Sequence, residues 1–533
     1  MQNEIFNLNK NIVLNLKKFF ILSFFIYSVY CALKIGIHWD IFTHFESGNN
    51  KLKYFFSLGS IDKEADTPYL FHRITPGLSF TITAFMANIF PARYQVEILH
   101  LSNLAISFLG IYGLGKFVSL LFNKNISLIF LIILCTYGVF FGHLAVNPKD
   151  TVVATAYSWA LYLILKYIKK QDGVSQKKII YYLGFFLALG SGVRLLFVTT
   201  LAPVFLWLIF EIFFFKKIIN NKFLIKTFIL DVIKTFIVFY FILLIFWTHA
   251  HSNIFIKPFE ILLETFKPMD AVGAAYGLLN GNVYTNINPI KSYVIINLFF
   301  KLPEYILLLY GFSIFVFVKY NYFFLLKFKD FNYKLFFILT ILIGTNLLFF
   351  ISPYPMYDGM RLFLFFIPII FIIPSLILFF LFSNLRYTTP KIMLGFLIPL
   401  IFLYSYNFFS LTPFNYIYLN NFVKNPEIKF ENDYLGLSLN ELFEKSNFIN
   451  KRNTRISFCG VGGGQIKYYL KKFNYTKILV VQHNENPDYI IMSNRVNWSG
   501  PDNGRTTCMN SYKGKILSSV SRNNIILTAV KEN

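Results

Sequence analysis

Three polar stretches of this otherwise apolar chain hold side chains suited to group-transfer chemistry, and each lies where a hydrophobic run ends. The first is His38-Trp39-Asp40-Ile41-Phe42-Thr43-His44. Asp40, with His44 beside it, can take a proton from an attacking hydroxyl as a general base. Asp is also a favoured helix N-cap, so a purely structural use of Asp40 stands beside the chemical one. The second stretch is Asn147-Pro148-Lys149-Asp150. Pro and Asp suit a helix start, but capping does not require Lys149, and the Lys149–Asp150 pair can orient a phosphate or support a divalent ion. The third is Tyr357-Asp358-Gly359-Met360-Arg361. The Arg361 guanidinium matches a phosphate with paired hydrogen bonds; an ion pair with Asp358 is the alternative use.

Further cations lie near the same helix ends: Arg73 after His72, Arg194 after Gly190-Ser191-Gly192-Val193, and Lys301 before Leu302-Pro303-Glu304. They can line an anionic head-group pocket or reach for the interface, and for Lys301 interfacial snorkelling is the favoured reading. His249 and His251 have ligand-like spacing but no nearby third ligand, so the sequence assigns no metal residue. No cofactor motif is present, and a divalent ion at Asp150 is the one metal role left open.

These clusters must be positioned by membrane helices. Of 533 residues, 56% are hydrophobic and 14% charged, and the apolar residues fall in long uncharged runs. The formal charge of +24 would suggest a nucleic-acid surface in a soluble protein. Here most of the excess sits in short loops between apolar runs, where Lys and Arg set orientation, and no nucleic-acid partner is expected. Runs near the roughly 20 residues needed to cross a bilayer predict helices at about 17–36, 97–121, 126–146, 151–168, 179–194, 196–215, 227–248, 303–318, 334–351, 362–382 and 392–410. About eleven spans then place the lysine-rich loops after 166, 216 and 319, and Arg386 with Lys391, on the N-terminal side. By the positive-inside rule that side is cytoplasmic. All three clusters fall on the other side. Residues 76–91, bounded by prolines, are too short for a span and read as an interfacial or re-entrant helix.

The chain changes character after Ser410. Residues 424–533 are polar, with strands predicted at Arg455–Val461, Lys477–Val481, Tyr489–Ser493 and Asn524–Val530 and a helix at Gln465–Phe473. The expected architecture is a polytopic α-helical membrane domain, 1–423, followed by a small C-terminal α/β extracytoplasmic domain, 424–533. Gly460-Val461-Gly462-Gly463-Gly464 lies between strand and helix but lacks the spacing of a dinucleotide loop or P-loop. Cys459 and Cys508 can pair if this domain faces an oxidising compartment; Cys31 and Cys135 lie in apolar runs.

Taken together, Trp39-Asp40 with His44, Gly142-His143 leading into Asn147-Pro148-Lys149-Asp150, Tyr357-Asp358-Gly359-Met360-Arg361, and Pro413 to Asn420 running into Phe430-Glu431-Asn432-Asp433-Tyr434 resemble the GT-C superclass of polyprenyl-phosphate-dependent glycosyltransferases. That group includes the protein O-mannosyltransferases and the lipid A aminoarabinose transferase. Where many members have an adjacent Asp-Glu pair in the first outer loop, Asp40 is followed by Ile41. The resemblance implies a sugar donor on a polyprenyl phosphate, an acceptor hydroxyl on a lipid, glycan or protein, and a bacterial inner membrane location. It gives Asp40, His44 and Asp150 catalytic roles, with Arg73, Lys149, Arg194, Asp358 and Arg361 binding substrate. A multi-span transporter and an O-antigen ligase or polymerase are the competing classes; a transporter usually keeps its polar groups near mid-membrane.

Overall fold

The computed structural model describes residues 10–62, 74–171, 174–265, 276–285, 288, 290–351, 356–446, 454–475, 477–496 and 505–533. The first half contains α1 (Lys10–Lys34), α2 (Ile41–Phe56), α3 (Leu78–Ile89), α4 (Gln95–Leu121), α5 (Lys124–Cys135), α6 (Gly138–His143), α7 (Asp150–Lys169), α8 (Val174–Ser191), α9 (Ala202–Phe210) and α10 (Ile225–Phe246). It continues through α11 (Lys257–Glu264), α12 (Tyr293–Lys301), α13 (Glu304–Lys319), α14 (Phe331–Ile351), α15 (Ile372–Ser383) and α16 (Thr388–Ser410).

Among the described residues six helical stretches are long and apolar enough to cross a bilayer: Ala92–Leu121, Asp150–Lys169, Leu195–Phe215, Ile225–Phe246, Phe331–Ile351 and Thr388–Ser410. The pair α12 and α13, bent by 108°, makes a seventh if it counts as one span. Of the other expected positions, 126–146, 179–194 and 362–382 contain shorter apolar helices, and 17–36 coincides largely with α1. The Pro-bounded stretch after Pro76 contains α3, 12 residues, about 18 Å at 1.5 Å per residue, against a hydrocarbon core of roughly 30 Å.

Two helices expected to be continuous are interrupted, for identifiable reasons. Between α5 and α6 the Tyr404 hydroxyl accepts from Gly138 N at 2.8 Å and donates to Thr136 O at 2.7 Å. A side chain from α16 thus enters the backbone ladder and breaks it. In the 361–383 stretch, Pro368 removes a donor and Tyr310 donates to the Ile370 carbonyl at 2.6 Å.

Helix α7 is the hub. In its apolar window 83% of residues are buried, compared with 17% in α10 and 22% in α14 and in α16, so α7 is wrapped by protein while the other three turn toward lipid. It packs against α4 and α8, and its small residues Ala154, Ala156 and Ala160 permit the close approach on which membrane helix packing depends. Phe236, Ile237 and Phe241 on α10 are exposed apolar side chains of the kind a bilayer covers.

Gly142 is another close-approach point. A Cβ there would lie 2.2 Å from Tyr416 N and 2.8 Å from Tyr416 Cα, backbone that cannot swing away. Gly142→Ala is therefore expected to destabilise the protein by about 1–3 kcal/mol or more, measured as a lowered melting temperature in detergent.

The chain after α16 carries a five-stranded mixed sheet of β3 (Thr454–Cys459), β4 (Ile478–Val480), β5 (Tyr489–Ser493), β6 (Ile516–Arg522) and β7 (Ile525–Glu532), in the order β4-β3-β5-β7-β6. A two-stranded hairpin, β1 (Tyr276–Leu279) and β2 (Asn282–Thr285), precedes it in sequence. β3 pairs in parallel with β4 and β5, and β7 runs antiparallel to β5 and β6. Helix α17 (Gly463–Lys472) follows β3 as the crossover a parallel pair requires. Strand β6 was not anticipated; its run Ile516-Leu517-Ser518-Ser519-Val520 alternates poorly. Cys459 and Cys508 form a disulfide.

The Gly-rich turn after β3 is used for packing. A Cβ on Gly462 would lie 2.8 Å from the Cβ of Trp39. Gln465 closes the contact, donating to Ile37 O at 2.6 Å and to Leu435 O at 3.0 Å, while Tyr469 OH accepts from Ile37 N at 2.8 Å. The C-terminal sheet is thereby docked on the loop that carries Asp40.

Candidate active site

The loop after α1 delivers Asp40 to the first turn of α2, where His44 N donates to Asp40 O at 3.1 Å. Asp40 occupies the N-cap position, yet its side chain makes no capping hydrogen bond. The carboxylate instead lines a cavity together with His38, His44, Asn147, Lys149, Asp150, Arg194, Tyr357 and Arg361. Five separate stretches of chain converge there: those after α1, before α7 and after α8, the segment with Tyr357 and Arg361, and Leu435 from the chain after α16. Arg73 lies outside the described residues.

Asp150, buried at the start of α7, is committed to its neighbours. Arg194 Nε and Nη2 donate to Oδ1 at 2.9 and 2.5 Å, and Asn147 Nδ2 donates to Oδ2 at 3.0 Å. Arg361 Nε lies 3.9 Å from the same Oδ2. With both oxygens engaged, Asp150 is an anchor for cations. A divalent ion does not fit this environment, and among the described residues no three His, Cys, Asp or Glu side chains converge on a metal-like centre.

Arg361 also pairs with Asp358 at 3.1 Å and faces the Tyr357 ring with its Cζ 5.0 Å from the centroid. Asp358, only 1% exposed, reaches on its other side to Arg495 Nη2 at 2.9 Å. Arg495 had no signal in the sequence, being a lone Arg after a strand. Lys301 departs from the snorkelling expectation. It is 2% exposed, and a Cβ on Gly359 would lie 3.6 Å from its Nζ, so its ammonium is inside the protein beside the Asp358–Arg361 segment. A buried ammonium is costly unless an anion compensates it.

Burial alone would raise the Asp40 pKa, but the charges of His44, Arg361, His38 and Lys149 outweigh it and hold the carboxyl below its ordinary value. Burial pushes His38 down to about 4 and His44 well below its usual value. Both imidazoles are therefore neutral at pH 7, and the cations acting on Asp40 there are Arg361 and Lys149. Burial, reinforced by Arg194, lowers Lys149 to about 7, so its charge is poised to change near neutrality.

Glu431, which accepts from Val496 N at 3.0 Å, is raised to about 7, mainly by burial, with Arg495 opposing and Asp358 reinforcing the shift. Between its ordinary value near 4.5 and 7 the folded protein holds a proton that the unfolded chain releases. Stability contributed by this group is thus full at the acid end of that window and declines as pH rises through it. Glu431→Gln is expected to flatten that part of a melting temperature against pH profile.

No family model and no curated protein sequence matches the chain. Its structure does match solved structures, and the likeness is one of fold. The crystal structure of ArnT from Cupriavidus metallidurans bound to undecaprenyl phosphate superimposes with a TM-score of 0.52 at 10% identity, covering 96% of this chain and 97% of that one. The apo form of ArnT gives 0.50 at 10% identity, with 96% and 98% covered. AglB, the oligosaccharyltransferase of Archaeoglobus fulgidus, in complex with an inhibitory peptide and a dolichol-phosphate, gives 0.46 at 11% identity over 90% and 70%.

Proposed function

We propose that this protein transfers a sugar from a polyprenyl-phosphate-linked donor to an acceptor hydroxyl at the extracytoplasmic face of a membrane. Asp40 takes the hydroxyl proton. The acceptor oxygen bonds to the anomeric carbon as the bond from that carbon to the lipid phosphate breaks, and the electron pair leaves on the phosphate. Arg361 and Lys149 meet the developing charge. Arg194 and Asp150 set the position of Arg361 and of the cavity wall. His44, neutral, packs beside Asp40 and shapes its surroundings.

The observation that carries this reading is the convergence on one cavity, at helix ends, of a carboxylate not used for capping and several cations, within a fold shared with ArnT. A transporter would be expected to keep such groups near mid-membrane. The Cys459–Cys508 disulfide supports an oxidising compartment for the C-terminal sheet. In this reading residues 1–423 form the membrane domain, the N-terminus is cytoplasmic and residues 424–533 form an extracytoplasmic domain.

Mass spectrometry of envelope glycolipids and glycoproteins from a deletion strain tests the proposal. One sugar is expected to disappear from one class of acceptor and to return on complementation with the wild-type gene. An unchanged glycan profile would refute it.

A further inference from the structure

The C-terminal sheet does more than cover the membrane domain, because one charged side chain that follows its strand β5 reaches Trp39 and Asp358, which flank the candidate site. We propose that Arg495 is a positioning residue that holds both the Asp40 loop and Arg361, and that the Cys459–Cys508 disulfide keeps Arg495 in place.

Arg495 has partners on every side. Its Nη2 pairs with Asp358 Oδ1 at 2.9 Å, its Nη1 donates to Tyr434 O at 2.8 Å, and its Nε lies 3.9 Å from Glu431 Oε1. Its guanidinium lies over the Trp39 ring, 4.0 Å from Cζ to the centroid. Trp39 precedes Asp40 in the chain, and Asp358 is the carboxylate that pairs with Arg361. One buried side chain therefore touches the supports of both the base and the phosphate-binding cation. A guanidinium stacked on an indole face in a desolvated site gains cation–π attraction in addition to its ion pair.

The disulfide lies next to this residue. Cys508 N donates to Arg495 O at 2.8 Å, Val496 bridges Thr507, and Cys459 ends β3 alongside β5, the strand from which Arg495 emerges. Cross-linking Cys508 to β3 fixes the segment against which the Arg495 backbone is hydrogen bonded. Without the bond that segment keeps its hydrogen bond and bridge to Arg495 and Val496, two hydrogen bonds from Lys531 to Met509 O and Tyr512 O, and its apolar packing. It loses its covalent tie to β3, however, and Arg495 gains freedom to leave Trp39 and Asp358. The geometry of the site would then depend on the oxidising compartment in which the sheet matures.

This inference rests on the proposed lipid-phosphate chemistry for one of its readouts, so the experiment uses two. The full chain in lipid nanodiscs is titrated with undecaprenyl phosphate, and Trp39 emission is taken as the difference between each protein and its Trp39→Phe counterpart. Arg495→Gln is expected to weaken binding at least about tenfold, because it leaves Asp358 partly uncompensated, and to shift Trp39 emission. Arg495→Lys restores part of the affinity through the ion pair but not the emission, since the stack needs the planar guanidinium. The Cys459→Ser/Cys508→Ser variant moves both readouts in the same direction by less. Wild-type affinity and emission in Arg495→Gln and in the double serine variant would overturn the proposal. If the wild-type protein does not bind undecaprenyl phosphate, the lipid-phosphate reading fails and Trp39 emission alone decides the role of Arg495. If Arg495→Gln does not fold, the double serine variant decides it on the same readouts.

Discussion

Asp40→Asn is expected to abolish sugar transfer while the protein still folds and inserts. The two halves of that outcome have separate causes. Loss of transfer follows from removing the proton acceptor, because a positioned general base contributes roughly 10²–10⁴-fold and an amide cannot accept the proton. Preserved folding follows from geometry: the Asp40 carboxylate makes no capping hydrogen bond, so the isosteric amide removes no helix contact. It also removes a half-buried charge. Turnover in reconstituted vesicles, measured beside the melting temperature, checks both halves. Retained turnover would take Asp40 out of the role, and a large drop in melting temperature would mean that its charge is structural.

Arg361→Gln is expected to cost both activity and stability, and this combination distinguishes it from the Asp40 variant. In the proposed reaction Arg361 is a donor to the departing phosphate, and removing such a donor is expected to lower the rate by roughly 10²–10³-fold. Arg361 also sits 3.1 Å from Asp358 and 3.9 Å from Asp150, both almost fully buried. Breaking a buried ion pair by removing one partner destabilises by about 3–5 kcal/mol; Arg495 and Arg194, which remain on the two carboxylates, moderate that loss. Arg361→Lys keeps the charge but loses the fork geometry, so it should recover more stability than activity. Equal recovery of both would argue that Arg361 is an ion-pair partner only.

The sequence contained the class of the protein and the positions of most helices because lipid imposes a one-dimensional rule. A segment in hydrocarbon must be apolar over a fixed length and satisfy its own backbone. It also pointed to Asp40, Lys149, Asp150, Arg194, Asp358 and Arg361, since charge at a helix end of so apolar a chain stands out. What it could not contain was which of these groups are spent on one another. Asp150 was legible as a carboxylate, but its saturation by Arg194 and Asn147 depends on α7 and α8 meeting. The break between Thr136 and Gly138 depends on a tyrosine 266 residues away from Gly138. Lys301 reads as an interfacial lysine and is buried, because α12 and α13 bend and carry it inward.

By itself, then, the amino-acid order determined a membrane wall, a polar C-terminal α/β segment and a set of charged residues at helix ends, because hydrophobic length and charge placement act locally along the chain. Only the tertiary structure decided that Asp40 faces a cavity, that the Gly460–Gly464 turn packs on Trp39, and that Arg495 from the last sheet reaches Asp358. Those outcomes depend on distances between segments far apart in sequence, and ion pairs and close backbone contacts form only once packing has brought such segments together.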